Sequence, residues 1–173
     1  RKKVMLRYLG HILEGGRLPT MVDRRYEGFP TGSADSVGWL FKRASDLHDE
    51  KKLTAAETKK LRDGLKKSID GILRWHSSSS GFITNGINET WMDTAFRDDG
   101  RTGACIEVQA MQLNIYRLMY KLAREKTYLL LEESLRRNVR KLFWNGKTLA
   151  DRLNDFTIRP NFFIAAYIYP QLL

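Results

Sequence analysis

The run Ala104-Cys105-Ile106-Glu107-Val108-Gln109-Ala110-Met111-Gln112-Leu113-Asn114-Ile115-Tyr116-Arg117-Leu118-Met119-Tyr120-Lys121-Leu122-Ala123 decides how this chain folds. Wound as an α-helix, it spreads Cys105, Ile106, Val108, Ala110, Met111, Leu113, Ile115, Tyr116, Leu118, Met119 and Leu122 over most of its circumference. A helix that is apolar nearly all round is buried, with other helices on several sides. The segments around it are therefore read for how they would cover it.

Most of them have one apolar stripe. Met5, Tyr8, Leu9, Ile12 and Leu13 follow helical spacing until Gly15-Gly16-Arg17-Leu18-Pro19 breaks the pattern. An irregular stretch with Tyr26, Gly28, Phe29, Pro30 and Gly32 then runs to about Asp35, and loops of that length inside a domain are commonly functional. From Ser36, the residues Val37, Leu40, Phe41, Ala44 and Leu47 mark an amphipathic helix. Thr54-Ala55-Ala56-Glu57 is a capping box, and Leu61, Leu65, Ile69, Ile72 and Leu73 continue it as a helix to about Trp75. A helix from about 127 to 143 would turn Leu131, Leu135, Val139 and Leu142 inward, with Asn145-Gly146 closing it as a turn. A last helix is expected near Pro160, because proline suits a first helical turn. Convincing strand alternation and internal repeats are both absent, which predicts an all-α fold of antiparallel helical hairpins in two layers.

Composition narrows the class. With 42% hydrophobic and 11% aromatic residues, most of the 173-residue chain is not disordered. Its longest apolar runs, such as Phe162-Phe163-Ile164-Ala165-Ala166, fall far short of the ~20 residues that span a bilayer, so no membrane partner is expected. Arg1-Lys2-Lys3 is followed by Arg7, Gly10, His11 and Glu14 rather than by a secretion signal. Cys105 is the single cysteine, compatible with a cytoplasmic setting, and on an apolar helix it reads as buried and inert. The net charge of +10 invites a nucleic-acid reading, but Lys51-Lys52, Lys59-Lys60 and Lys66-Lys67 crowd onto one wet helix face among Glu57, Arg62 and Asp63. No nucleic-acid partner is assigned. His11, His48 and His76 lack ligand spacing, so neither a metal nor another cofactor is expected. Both ends look cut, the first inside a helix and the last on apolar Leu172-Leu173, which suggests a fragment of a larger domain.

The chemistry gathers in Gly81-Phe82-Ile83-Thr84-Asn85-Gly86-Ile87-Asn88-Glu89-Thr90-Trp91-Met92-Asp93. Amides, two carboxylates and a tryptophan on one loop suit a sugar, whose hydroxyls need polar partners and whose C–H faces stack on an indole. A carboxyl beside a tryptophan is partly desolvated, which favours its neutral form, as a general acid at a glycosidic oxygen requires. The same residues are equally compatible with a capping loop in which Asp93 merely accepts from backbone N–H groups.

At this point the sequence resembles a known family, the amylo-α-1,6-glucosidase domain of glycogen debranching enzymes, one of the (α/α)6-barrel glycosidases. The resemblance rests on Asn88-Glu89-Thr90-Trp91-Met92-Asp93 followed by Gly100-Arg101-Thr102-Gly103-Ala104-Cys105-Ile106-Glu107-Val108-Gln109-Ala110. Gly16-Arg17-Leu18-Pro19, Ala34-Asp35-Ser36-Val37-Gly38-Trp39 and Ile158-Arg159-Pro160-Asn161 extend it in family order. Two departures stand out: Asp99-Gly100-Arg101 replaces the family's Thr-Pro-Arg, and Phe162 follows Arg-Pro-Asn where a Gln is usual.

The resemblance implies a partial (α/α)6 toroid, about half of a six-hairpin barrel, with residues 1–173 as the N-terminal part of the catalytic domain. It implies inverting hydrolysis of α-1,6-linked glucose on glycogen or limit dextrin. Asp93 would be the general acid, with Glu89 as second candidate for that role and otherwise a binding residue. Asp35 would accept from glucose hydroxyls, Trp91 would wall the subsite, and Arg101 and Glu107 would bind sugar or orient Asp93. Asp35 and Glu107 also have structural readings, as a helix N-cap and a first-turn carboxylate, and Trp39 reads as core. The general base is expected beyond Leu173, in the missing C-terminal half, so the chain alone is expected to be inactive. Two alternatives remain: another (α/α)6 α-glucosidase, and a non-enzymatic basic helical binding module.

Overall fold

Helix α4 (Ile106–Ala123) lies at the centre, with every residue from Ile106 to Tyr116 buried. It packs against α2 (Ser36–Asp49), α3 (Ala55–Trp75), α5 (Lys126–Phe143) and α6 (Asn161–Ile168), so the apolar circumference seen in the sequence is covered from several sides. The computed structural model describes residues 2–23, 32–92 and 100–172. Among these, the first helix α1 (Lys2–Tyr8) runs into a 3₁₀ turn at Leu9–His11, and a second 3₁₀ turn, Pro170–Leu172, follows α6. The fold is all-α, built from helical hairpins. No helix among the described residues is long and apolar enough to cross a membrane.

Local chemistry explains where the helices stop and start. The capping box at α3 is complete: Glu57 N–H donates to Thr54 Oγ1 at 3.2 Å, and Thr54 N–H donates to Glu57 Oε2 at 2.8 Å. The lysine pairs at 59–60 and 66–67 lie on the exposed face of α3, opposite Leu61, Leu65 and Ile69. After α5, Asn145 Oδ1 accepts from the N–H groups of Lys147 and Thr148, which shapes the expected turn.

Two expectations are corrected. The irregular stretch after α1 contains a small antiparallel sheet, β1 (Leu18–Pro19) with β2 (Gly32–Ser33), too short to show alternation; residues 24–31 lie outside the described set. On α5 the buried stripe is Tyr128, Glu132, Leu135, Val139 and Phe143, whereas Leu142 is 44% exposed. The inward face is rotated by about one residue because Glu132 is satisfied inside. It pairs with Arg117 at 2.6 Å and accepts from the Tyr169 hydroxyl. A charge buried with such partners cannot be told from a solvated one by spacing.

The α1–α3 side is closed by direct backbone contact. Gly16 has φ +79°, and Ser68 Oγ donates to its carbonyl at 2.6 Å. A Cβ on Gly71 would meet Glu14 O and Gly16 N, each at 2.4 Å. Backbone atoms cannot swing aside as a side-chain tip can. Gly71→Ala is therefore expected to destabilise the fold by about 1–3 kcal/mol, despite the ~1 kcal/mol that alanine ordinarily gains in a helix. Urea unfolding of the two proteins, compared at equal m, checks the sign.

Candidate active site

The loop between α3 and α4 is tied to the frame along its length. Gln109 of α4 reaches back so that its Oε1 accepts from Ile83 N–H at 2.9 Å, while its Nε2 donates to Ile83 O at 2.7 Å. Asn85 and Gly103 exchange two backbone bonds at 2.9 Å, and Asn85 Nδ2 donates to Arg101 O, also at 2.9 Å. Glu89 Oε2 accepts from Gly86 N–H and from Arg17 Nη1, both at 2.6 Å. The backbone carbonyl of Glu89 accepts from Ala34 N–H at 2.7 Å, joining the loop to the start of α2.

Asp35 sits at the N-cap position of α2, yet its carboxylate does not cap that helix. Ser36 N–H donates instead to Ser33 Oγ at 3.3 Å. Asp35 Oδ1 accepts from Ser33 Oγ at 2.6 Å, and Oδ2 accepts from Trp91 N–H at 2.7 Å across 56 positions of sequence. Asp35 and Trp91 are thus brought together. Asp35 is 5% exposed, whereas Trp91 is 47% exposed. Each carboxylate oxygen keeps a second lone pair for another donor. Asp93 lies outside the described residues.

Arg101 and Glu107 lie beneath the loop, at 4% and 0% exposure. The Arg101 guanidinium donates to Glu107 Oε1 and Oε2 at 2.5 and 2.8 Å, and through Nε and Nη2 to Asp151 at 2.9 and 3.0 Å. Its Nη1 also reaches Thr90 Oγ1 at 3.4 Å. Burial alone would lower the arginine's pKa, but the carboxylates of Glu107 and Asp151 outweigh it and raise it above the ordinary value. Burial raises the Glu107 carboxyl, and Arg101 pulls it back only in part. Arg159 Nη1 donates to Asp151 Oδ2 at 2.8 Å, and Asn161 Nδ2 to Oδ1 at 2.5 Å. Asn161 Oδ1 in turn accepts from the Trp91 indole N–H at 3.0 Å.

Asp151 was not legible from the sequence. It lies in Ala150-Asp151-Arg152-Leu153, which resembles no motif, and only its buried partners reveal it. Trp39, expected in the core, is 38% exposed and faces Tyr167 of α6 at 6.5 Å, with Lys42 Nζ 4.9 Å from the same tyrosine ring. One turn from Asp35, it has an aromatic surface that a sugar could use. Its helical spacing matched the core stripe, which hid this. Cys105 is fully buried, and burial pushes its thiol up to about 12, far from a reactive thiolate. Among the described residues no group of His, Cys, Asp and Glu could hold a metal ion.

A cleft of about 350 Å³ is lined by Glu89 together with Leu13, Glu14, Arg17 and His76 among others. Burial, with Arg17 assisting, lowers the His76 pKa.

The family model described as amylo-alpha-1,6-glucosidase matches residues 2–173. Neither a curated protein nor a solved structure matches the chain.

Removing the cation at the centre of the buried cluster tests its weight. Arg101→Met leaves Glu107 and Asp151 without their shared guanidinium and is expected to cost about 3–5 kcal/mol at neutral pH. The folded pKa of Glu107, already raised by burial, then rises further, so the added penalty is complete at pH above it and is lost as pH falls towards the ordinary carboxylate range. The gap to the parent protein should therefore narrow as pH falls from 7 towards 4. Chemical denaturation across that range measures it.

Proposed function

Because the chain belongs to the amylo-alpha-1,6-glucosidase family, we propose that it forms part of a catalytic domain that releases glucose from α-1,6-linked stubs on an α-glucan such as glycogen or limit dextrin. The observation that carries this reading is the family match over residues 2–173, in a chain whose Glu89-Thr90-Trp91 segment is fastened against Asp35. The buried, unreactive single cysteine suits the cytoplasmic setting that this substrate implies.

In the proposed reaction, the terminal glucose stacks on Trp91, and its hydroxyls donate to the free lone pairs of Asp35. Asp93 gives its proton to the glycosidic oxygen as the bond from that oxygen to the anomeric carbon breaks. A water attacks the opposite face of that carbon, and its proton passes to a second carboxylate about 6.5–9.5 Å from the acid, which inverts the centre. That base is assigned to the remainder of the catalytic domain, outside residues 1–173. Arg101 and Glu107 act from below: they hold Thr90 and the loop, and with it the approach to Asp93. Glu89, engaged with Arg17 and Gly86, fixes the other side of the same loop.

In the active glucosidase that carries these residues, Asp93→Asn should lower turnover by ~10²–10⁴-fold, the usual loss of a general acid. Malto-oligosaccharide binding should survive, since the amide keeps the carboxyl's shape. The 173-residue chain alone should release no glucose from a glucan bearing single α-1,6-linked stubs. Glucose release by it would put the base within these residues and overturn the division of roles.

A further inference from the structure

Asn161 is the first residue of α6 and is wholly buried, yet its side chain does not cap that helix, whose N-cap is Pro160. The amide is turned the other way, towards the loop. Its Oδ1 accepts from Trp91 Nε1 at 3.0 Å, and its Nδ2 donates to Asp151 Oδ1 at 2.5 Å and lies 3.2 Å from Met92 Sδ. Only one orientation of this amide serves all three neighbours. A carboxylate needs a donor, an indole N–H needs an acceptor, and reversing the amide would set oxygen against oxygen and N–H against N–H. Asp151 fixes the choice, being itself held by Arg101 and Arg159.

We propose that Asn161 is a positioning residue for the glucosidase reaction, setting the plane of the Trp91 indole and the course of the chain at Met92, immediately before Asp93. This rests on the reading of Trp91 as the subsite wall and Asp93 as the acid. Trp91 is secured at two points, its backbone N–H by Asp35 and its ring N–H by Asn161. With the second point gone, the half-exposed ring is free to turn about its side-chain bonds. Displacements of ~1 Å far from the reacting atoms can cost ~10²-fold in rate.

A double-mutant cycle in the active glucosidase tests this. Trp91→Phe keeps an aromatic wall but removes the N–H, and Asn161→Leu removes the acceptor at similar volume. Each should lower kcat by about 10- to 10²-fold, with a smaller change in KM. Because both cut one link, the double variant should fall within about threefold of the worse single one. Multiplying losses, or an unchanged kcat in Asn161→Leu, would overturn the proposal. If Asn161→Leu does not fold, Asn161→Ser replaces it: its hydroxyl lies one bond short of the amide oxygen and cannot accept from the indole N–H as Asn161 does.

Asp93→Asn is assayed in parallel. If it stays active while the cycle shows coupling, the acid assignment fails and the positioning role stands; if it is inactive while the cycle multiplies, only the positioning role fails. In the 173-residue chain, the Trp91 indole N–H resonance, identified by its loss in Trp91→Phe, should shift in Asn161→Leu while those of Trp75 and Trp144 do not.

Discussion

A single guanidinium, that of Arg101, lies between Glu107 and Asp151 in the interior, and the arrangement of the loop depends on it. Taking three charged groups out of water is expensive, and such a cluster persists only where the geometry is good and the remaining lone pairs are used. Both conditions hold. Arg101 meets both carboxylates with two hydrogen bonds each, and Asp151 has further donors in Arg159 and Asn161. To reach this position Arg101 adopts φ +43°, a left-handed conformation uncommon outside glycine. The cluster therefore has a conformational cost as well as a desolvation cost, which points to function rather than bulk stability as its reason.

The polar cluster and the apolar core share one element. Helix α4 supplies Glu107 and Gln109 from its first turn and the core residues Met111, Leu113, Ile115 and Leu118 beyond it. The same helix that buries the hydrophobic surface thus fixes the loop, so movement of α4 relative to α2 or α6 would change the relation of Asp35 to Trp91. Rigid elements hold functional groups more closely than loops do by themselves. Here the loop borrows rigidity from four helices, through Ala34 and Asp35 at α2, His76 at α3, Gln109 at α4 and Asn161 at α6.

Much of the fold was legible in the residues. The apolar circumference of α4, the Thr54–Glu57 capping box and the Asn145-Gly146 turn each have one dominant physical reading, and local periodicity reports them directly. What stayed hidden depended on partners distant in sequence. Glu132 is buried because Arg117 and Tyr169 meet it, and no pattern within α5 shows that. Asp151 is isolated in its own segment, and its role emerges only from Arg101, Arg159 and Asn161. Trp39 failed in the opposite direction: its spacing is that of a core residue, but beside Tyr167 of α6 it stays 38% exposed. The pairing of Asp35 with Trp91 was implied by family resemblance, whereas the bond from the Trp91 N–H to the carboxylate could only come from three dimensions.

The indole of Trp91 and the amide that secures it are 70 positions apart. At the ~5–20 residues per second of protein synthesis, Asn161 is made about 4–14 s after Trp91. Asp151, which orients that amide, is likewise late. Throughout that interval the nascent loop has Asp35 and Arg17 to bind, both made earlier, but not the amide that accepts from its indole N–H. The indole edge of this loop is therefore completed only once α6 has been made, and a pause in translation before α6 would leave the half-exposed Trp91 ring without the amide that secures it.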